Sequence, residues 1–287
     1  SAPRKEEAGF GYYRRLASDN GFSNWRDLTE TAGVDRNRRQ LLMRTDEVAQ
    51  NLGLETMWVE HAREQEILCR SWGGLYRSPT EAVCSECLAE SPHIRHSWEH
   101  AYSTACAQHH VQLVDRCNAC GTSLSRERLH IGWCSCGHDL TTLPRVPATR
   151  AQLWLSKLIA NNGSHSGLMA PTLRCVDIGI LAKFVQVLCL HGDPTQPKLQ
   201  RIAPSPKSVS EAIQLLAPLE VLLDDWPTGF KQHVAQRIAV GRKDARTLNT
   251  LLGDWYIRLR KISLGTALEQ FVQVIIDVAA EKTDCVL

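Results

Sequence analysis

Residues 84–140 read CSECLAESPHIRHSWEHAYSTACAQHHVQLVDRCNACGTSLSRERLHIGWCSCGHDL. Four ligand pairs stand in this stretch: Cys84 with Cys87, Cys106 with His109, Cys117 with Cys120, and Cys134 with Cys136. Zinc prefers tetrahedral thiolate and imidazole ligands, and two such pairs close a structural site. A two-residue spacer lets both donors of a tight turn face one ion. Eight ligands make two full sets, one of three cysteines and a histidine, the other of four cysteines. The expectation is two Zn2+ per chain, with no position left for water or substrate. Eighteen residues separate Cys87 from Cys106 and 13 separate Cys120 from Cys134. These gaps permit sequential sites, and they equally permit a cross-brace joining first pair to third and second to fourth. His110 is the rival of His109, and His138 is a weaker one. His93, His96, His100 and His130 read as surface residues or as outer neighbours of the ligands.

Outward from this centre, the 287 residues are 43% apolar and 22% charged, a globular composition that excludes wholesale disorder. Apolar runs such as Ile178–Ala182 fall far short of the ~20 residues that span a bilayer. No basic stretch followed by an apolar one opens the sequence, so no export signal is expected. Seven of the 11 cysteines lie between Cys84 and Cys136. That is metal spacing rather than a disulfide framework, and it fits a cytoplasmic protein whose thiols stay reduced. The formal charge is +2, but residues 231–261 hold eight basic side chains against two acidic ones. Arg242, Lys243, Arg246, Arg258 and Lys261 are therefore candidate nucleic-acid contacts.

The flanks read as helices, which gives three expected domains: a helical, helix-turn-helix-like region over 1–83, a double zinc-finger module over 84–140, and a helical region over 141–287. The fold class is mainly α, with helix-turn-helix units flanking a tandem zinc-ribbon-like module. Tyr12 and Leu16 mark a first helix that Asn20 and Gly21 end. Ser23 is placed to cap a second helix carrying Trp25 and Leu28, and Gly33 closes it. A start at Thr45, a turn at Gly53 and a resumption at Met57 repeat the pattern. Glu55, Glu60, Glu64 and Glu66 disfavour insertion of that last helix between phosphates. Thr149 with Gln152, and Ser208 with Glu211, fit capping boxes. Asp177 starts a helix expected to end at His191 and Gly192, a proline-rich linker follows over 194–206, and apolar residues spaced by three and four predict two late helices from Leu248 and Leu264.

Several of these features occur together in one known family. The segment from Cys84 to Leu140, the stretch Tyr13 to Ala17 followed by Asn20 and Gly21, and Asp225-Trp226-Pro227 with Phe230 resemble the TniQ/TnsD family of bacterial transposition proteins. The resemblance implies a non-catalytic target-selection adaptor. Such a protein brings a target DNA, or a CRISPR effector complex of the Cascade kind, to an AAA+ ATPase that recruits the transposase. It also implies a bacterial, nucleoid-associated homodimer with no membrane attachment. The residues themselves show no P-loop, no dinucleotide-binding glycines and no G-x-S-x-G, so no enzyme is expected. A zinc-containing DNA-binding transcription regulator is the alternative. Tyr12, Tyr13, Trp25, Trp58, Trp72, Tyr76 and Trp98 are enough aromatic residues to anchor a protein interface.

Overall fold

Helix α1 (Gly9–Asp19) buries Phe10, Tyr12, Tyr13, Leu16 and Ala17, and its charged Arg14 and Arg15 lie inside as well. A helix covered on every side is central to its unit. One contact is backbone to backbone: a Cβ added to Gly9 would stand 2.1 Å from the carbonyl oxygen of Ala62. That carbonyl belongs to α5 (Thr56–Ser71), so α1 and α5 meet at a position only glycine can fill. Between them come α2 (Trp25–Thr31), α3 (Arg38–Met43) and α4 (Thr45–Leu52).

The capping residue of α2 is Asn24 rather than the expected Ser23. The Asn24 side chain accepts the backbone N–H groups of Arg26 and Asp27, while the Asp27 carboxylate accepts that of Asn24. Ser23 instead donates its hydroxyl to Asp27, at 2.6 Å. Between α4 and α5, Gly53 takes the left-handed conformation (φ +60°) expected of a residue that ends one helix and releases the chain into the next.

The structure is a computed structural model that describes residues 1–34, 37–72, 75–77, 79–164, 173, 176–190, 205–241 and 244–283. Two compact units divide the chain, Ser1–Ala148 with Lys207–Val209, and Thr149–Pro206 with Ser210–Leu287. The architecture is mainly helical; the described residues contain no strand, only isolated antiparallel bridges. No described helix is long and apolar enough to cross a membrane. In the first unit, the segment after α5 carries α6 (Ser85–Glu90) and single 3-10 turns at His96–Glu99 and Leu140–Thr142.

The second unit holds α7 (Arg150–Ala160), α8 (Ile178–Leu190), α9 (Val209–Leu223), α10 (Thr228–Val240), α11 (Leu248–Ser263) and α12 (Glu269–Lys282). Thr149 and Gln152 form the expected capping box. Asp177 starts α8 by accepting the Ile180 N–H at 2.9 Å. The expected end of α8 at His191 and Gly192 lies outside the described residues, as does the linker apart from Ser205 and Pro206. Phe271 sits at the aromatic centre, 4.9 Å from Phe184, 4.6 Å from Trp226 and 5.5 Å from Phe230 between ring centroids.

Candidate metal centres

Three of the four ligand pairs sit on one repeated backbone device. In each, the first cysteine donates its N–H back across the loop: Cys106 to Val111 O, Cys117 to Thr122 O and Cys134 to His138 O, all at 2.8–2.9 Å. An antiparallel bridge closes each loop outside the ligands, at Ala105–Gln112, Arg116–Ser123 and Trp133–Asp139. The residue before the bonded carbonyl is left-handed every time, at His110 (φ +60°), Gly121 (φ +70°) and Gly137 (φ +83°). His110 thus fills the turn position that glycine fills in the other two loops. This separates it from its neighbour: His109 points its ring into the ligand cluster, and His110 shapes the turn. The fourth pair uses a helix start, since Cys84 precedes α6 and Cys87 lies in its first turn.

The folded chain gathers the pairs sequentially. Cys84, Cys87, Cys106 and His109 form one group, and Cys117, Cys120, Cys134 and Cys136 the other, with all donor atoms in each group within 4.8 Å of one another. In the first, Cys87 Sγ lies 3.6 Å from Cys106 Sγ and 3.2 Å from His109 Nδ1. In the second, Cys117–Cys136 and Cys120–Cys134 are each 3.8 Å apart. A disulfide needs ~2.05 Å between sulfurs. Donors ~2.0–2.3 Å from a shared tetrahedral ion stand about 3.5–3.8 Å apart, so both groups can hold a metal ion.

The two groups differ in surroundings. Cys84, Cys87 and Cys106 are buried, while Cys120 and Cys136 are exposed. Hydrogen bonds from the Thr122 hydroxyl and backbone lower the Cys120 thiol below its ordinary value. Beside this second group lies an open hollow of about 560 Å³, lined by Arg128, Leu129, His130, Trp133 and Cys134. Trp133, 51% exposed, rises from it.

A salt-bridged interior joins the metal-bearing segment to the helices of the same unit. Glu81 pairs with Arg14 of α1 (3.0 Å) and with Arg128 (2.6 Å), and all three are buried. Despite the cost of burial, Arg128 and Arg14 hold the Glu81 carboxyl below its ordinary range. Arg126 pairs with Glu99 and with the Tyr76 hydroxyl. Arg77 donates to the carbonyls of Trp98, His100, Ala101 and Ser103, fixing the loop between the first two ligand pairs.

Other sequence expectations are corrected here. His93, His96 and His100 are buried rather than superficial, and burial lowers all three below the usual imidazole value. His130 stays near the surface, 3.0 Å from the Ser18 hydroxyl. Glu66 is not on an outer face but buried between Arg38 and Arg70. Tyr12, Tyr13, Trp25, Trp72 and Trp98 fill the interior, and Trp58 and Tyr76 are half-buried, so the first hundred residues do not display an aromatic interface. Arg246 and Lys261 are exposed and Arg258 is half-buried, whereas Arg242 and Lys243 lie outside the described residues. Arg237, of the same basic run, is buried 4.4 Å over the Trp255 ring.

Compared with known proteins, residues 1–113 match the family model TniQ, a range that takes in the helices α1–α6 and the first ligand group together. No curated protein sequence matches the chain.

Proposed function

We propose that this chain, which over residues 1–113 belongs to the TniQ family and so to proteins associated with transposition, is a non-catalytic target-selection adaptor holding two zinc ions. The observation that carries the reading is the continuity of the family match with the first metal centre. The matched region runs through Cys84, Cys87, Cys106 and His109, which supports reading the centre as part of the matched domain. Zinc is the ion that suits three thiolates with one imidazole and four thiolates alone. Both sets are complete, which supports a structural rather than a Lewis-acid role, because a catalytic zinc keeps a position for water or substrate.

The adaptor presents a target DNA, or an RNA-guided effector complex, to an AAA+ ATPase. It works as a homodimer, and Arg246, Arg258 and Lys261, with Arg242 and Lys243, are the basic side chains offered to phosphates. Full-length tagged protein, co-expressed with the ATPase, transposase and effector genes of its own element, tests the reading. Co-purification with the ATPase, and loss of targeted insertion when the gene is deleted, are the expected results. Binding to neither ATPase nor effector, with insertion unchanged, overturns it. Specific retention at a promoter operator with no effect on insertion would favour the transcription regulator.

A further inference from the structure

The first metal centre has an outer ring of polar side chains that leads away from it to the start of the chain. His109 turns Nδ1 to the sulfurs and places Nε2 2.9 Å from Glu90 Oε1. The other Glu90 oxygen accepts from Gln108 Nε2 at 3.0 Å. Gln108 Oε1 accepts from Arg95 at 2.6 Å, and Arg95 pairs with Glu6 at 2.9 Å. The line of contacts therefore leaves the centre at His109 and ends at Glu6.

Glu6 is held in a conformation it would not choose alone. Its φ of +63° is left-handed, a region unfavourable to a residue that carries a side chain. Two bonds fix the segment there: His96 N–H donates to Glu6 O at 2.8 Å, and Ala8 N–H donates to Ile94 O at 2.7 Å. One residue further on, α1 begins.

We propose that Glu90 and Arg95 are positioning residues of the first centre, and that its metal and the docking of residues 4–8 stabilise each other through the Glu90–Gln108–Arg95–Glu6 relay. An imidazole ligand must offer one nitrogen to the metal, and a carboxylate on the other N–H fixes that tautomer and ring orientation. Emptying the centre releases the His109 ring, and with it the Glu90 and Gln108 contacts that orient Arg95. Glu6 then loses its pairing partner. The coupling must be reciprocal, because linkage gives each partner the same effect on the other. The inference rests on the zinc reading above and has its own failure.

Zinc competition with a chromophoric chelator, on the full chain, measures both centres, and Co2+ substitution tells the three-cysteine site from the four-cysteine site by spectrum. Glu90→Ala and Arg95→Ala are expected to weaken the first centre about tenfold and leave the second unmoved. Glu90→Gln, which keeps an acceptor, should recover part of the loss, and Glu6→Gln should weaken the first centre severalfold. Hydrogen exchange at the Ala8 and His96 amides should quicken in Cys106→Ser, in which the first centre is broken. First-centre affinity unchanged in Glu90→Ala and Arg95→Ala, or unchanged exchange at those amides in Cys106→Ser, overturns the coupling while the zinc reading stands. A wild-type chain that binds no metal overturns both.

Discussion

Glu81 carries two arginines by itself, and none of the three reaches solvent. Removing one partner of a buried ion pair leaves an uncompensated charge, which costs about 3–5 kcal/mol. Glu81→Ala is expected to lower the unfolding free energy by that amount in a urea titration, and a change below about 1 kcal/mol would show that water reaches the site. His100 gives a second residue-level expectation. Burial, with Arg77 nearby, lowers its ring to about 3, against about 6.5 in the unfolded chain. The unfolded state then takes up the proton first. The stability held above pH 6.5 is lost as pH falls toward 3, by about 1.4 kcal/mol per pH unit. Between pH 6.5 and 5, His100→Gln should show a shallower fall in melting temperature than the wild type; equal slopes would assign the acid sensitivity to other groups. The eight ligands were legible because their spacing lies within short loops. Glu81, Arg95 and Glu90 were not, because their roles depend on partners up to 89 residues away that no local pattern records.

At the scale of elements, apolar spacing located most of the long helices, but it overlooked α10, began the last helix at Leu264 rather than Glu269, and overlooked α3, whose six residues are too few to display a period. The cap of α2 was misread by one residue because serine and asparagine cap equally well; Asp27, three residues beyond Asn24, decides it. Helix α11 hides a break at Gly253 (φ +61°, ψ −149°), a conformation essentially confined to glycine. A Cβ there meets no atom within 4 Å, so Gly253→Ala tests the backbone alone. It should cost about 1–3 kcal/mol by denaturant unfolding, and a neutral result would mean the helix runs straight through. The metal loops differ in access. Cys120 and Cys136 are exposed whereas Cys84, Cys87 and Cys106 are not. Under excess chelator the four-cysteine centre should empty first, followed by Co2+ spectra. Simultaneous loss would mean that the two centres unfold as one.

For the whole molecule, composition and spacing anticipated a mainly helical chain around two metal groups. They could not anticipate that Ser1–Ala148 would form one compact unit. The reason lies in Arg14, Arg77 and Arg126, which bind buried carboxylates and carbonyls far along the chain. The family resemblance drew on motifs through residue 140, while the family model matches residues 1–113. The proposed adaptor requires the two ligand groups to be closed structural zinc sites of this unit. Native mass spectrometry of full-length protein, purified without chelator, measures this directly. Two zinc ions per chain are predicted, with one remaining in Cys106→Ser and one in Cys117→Ser, as sequential grouping requires. A wild-type chain carrying one zinc or none would contradict the account.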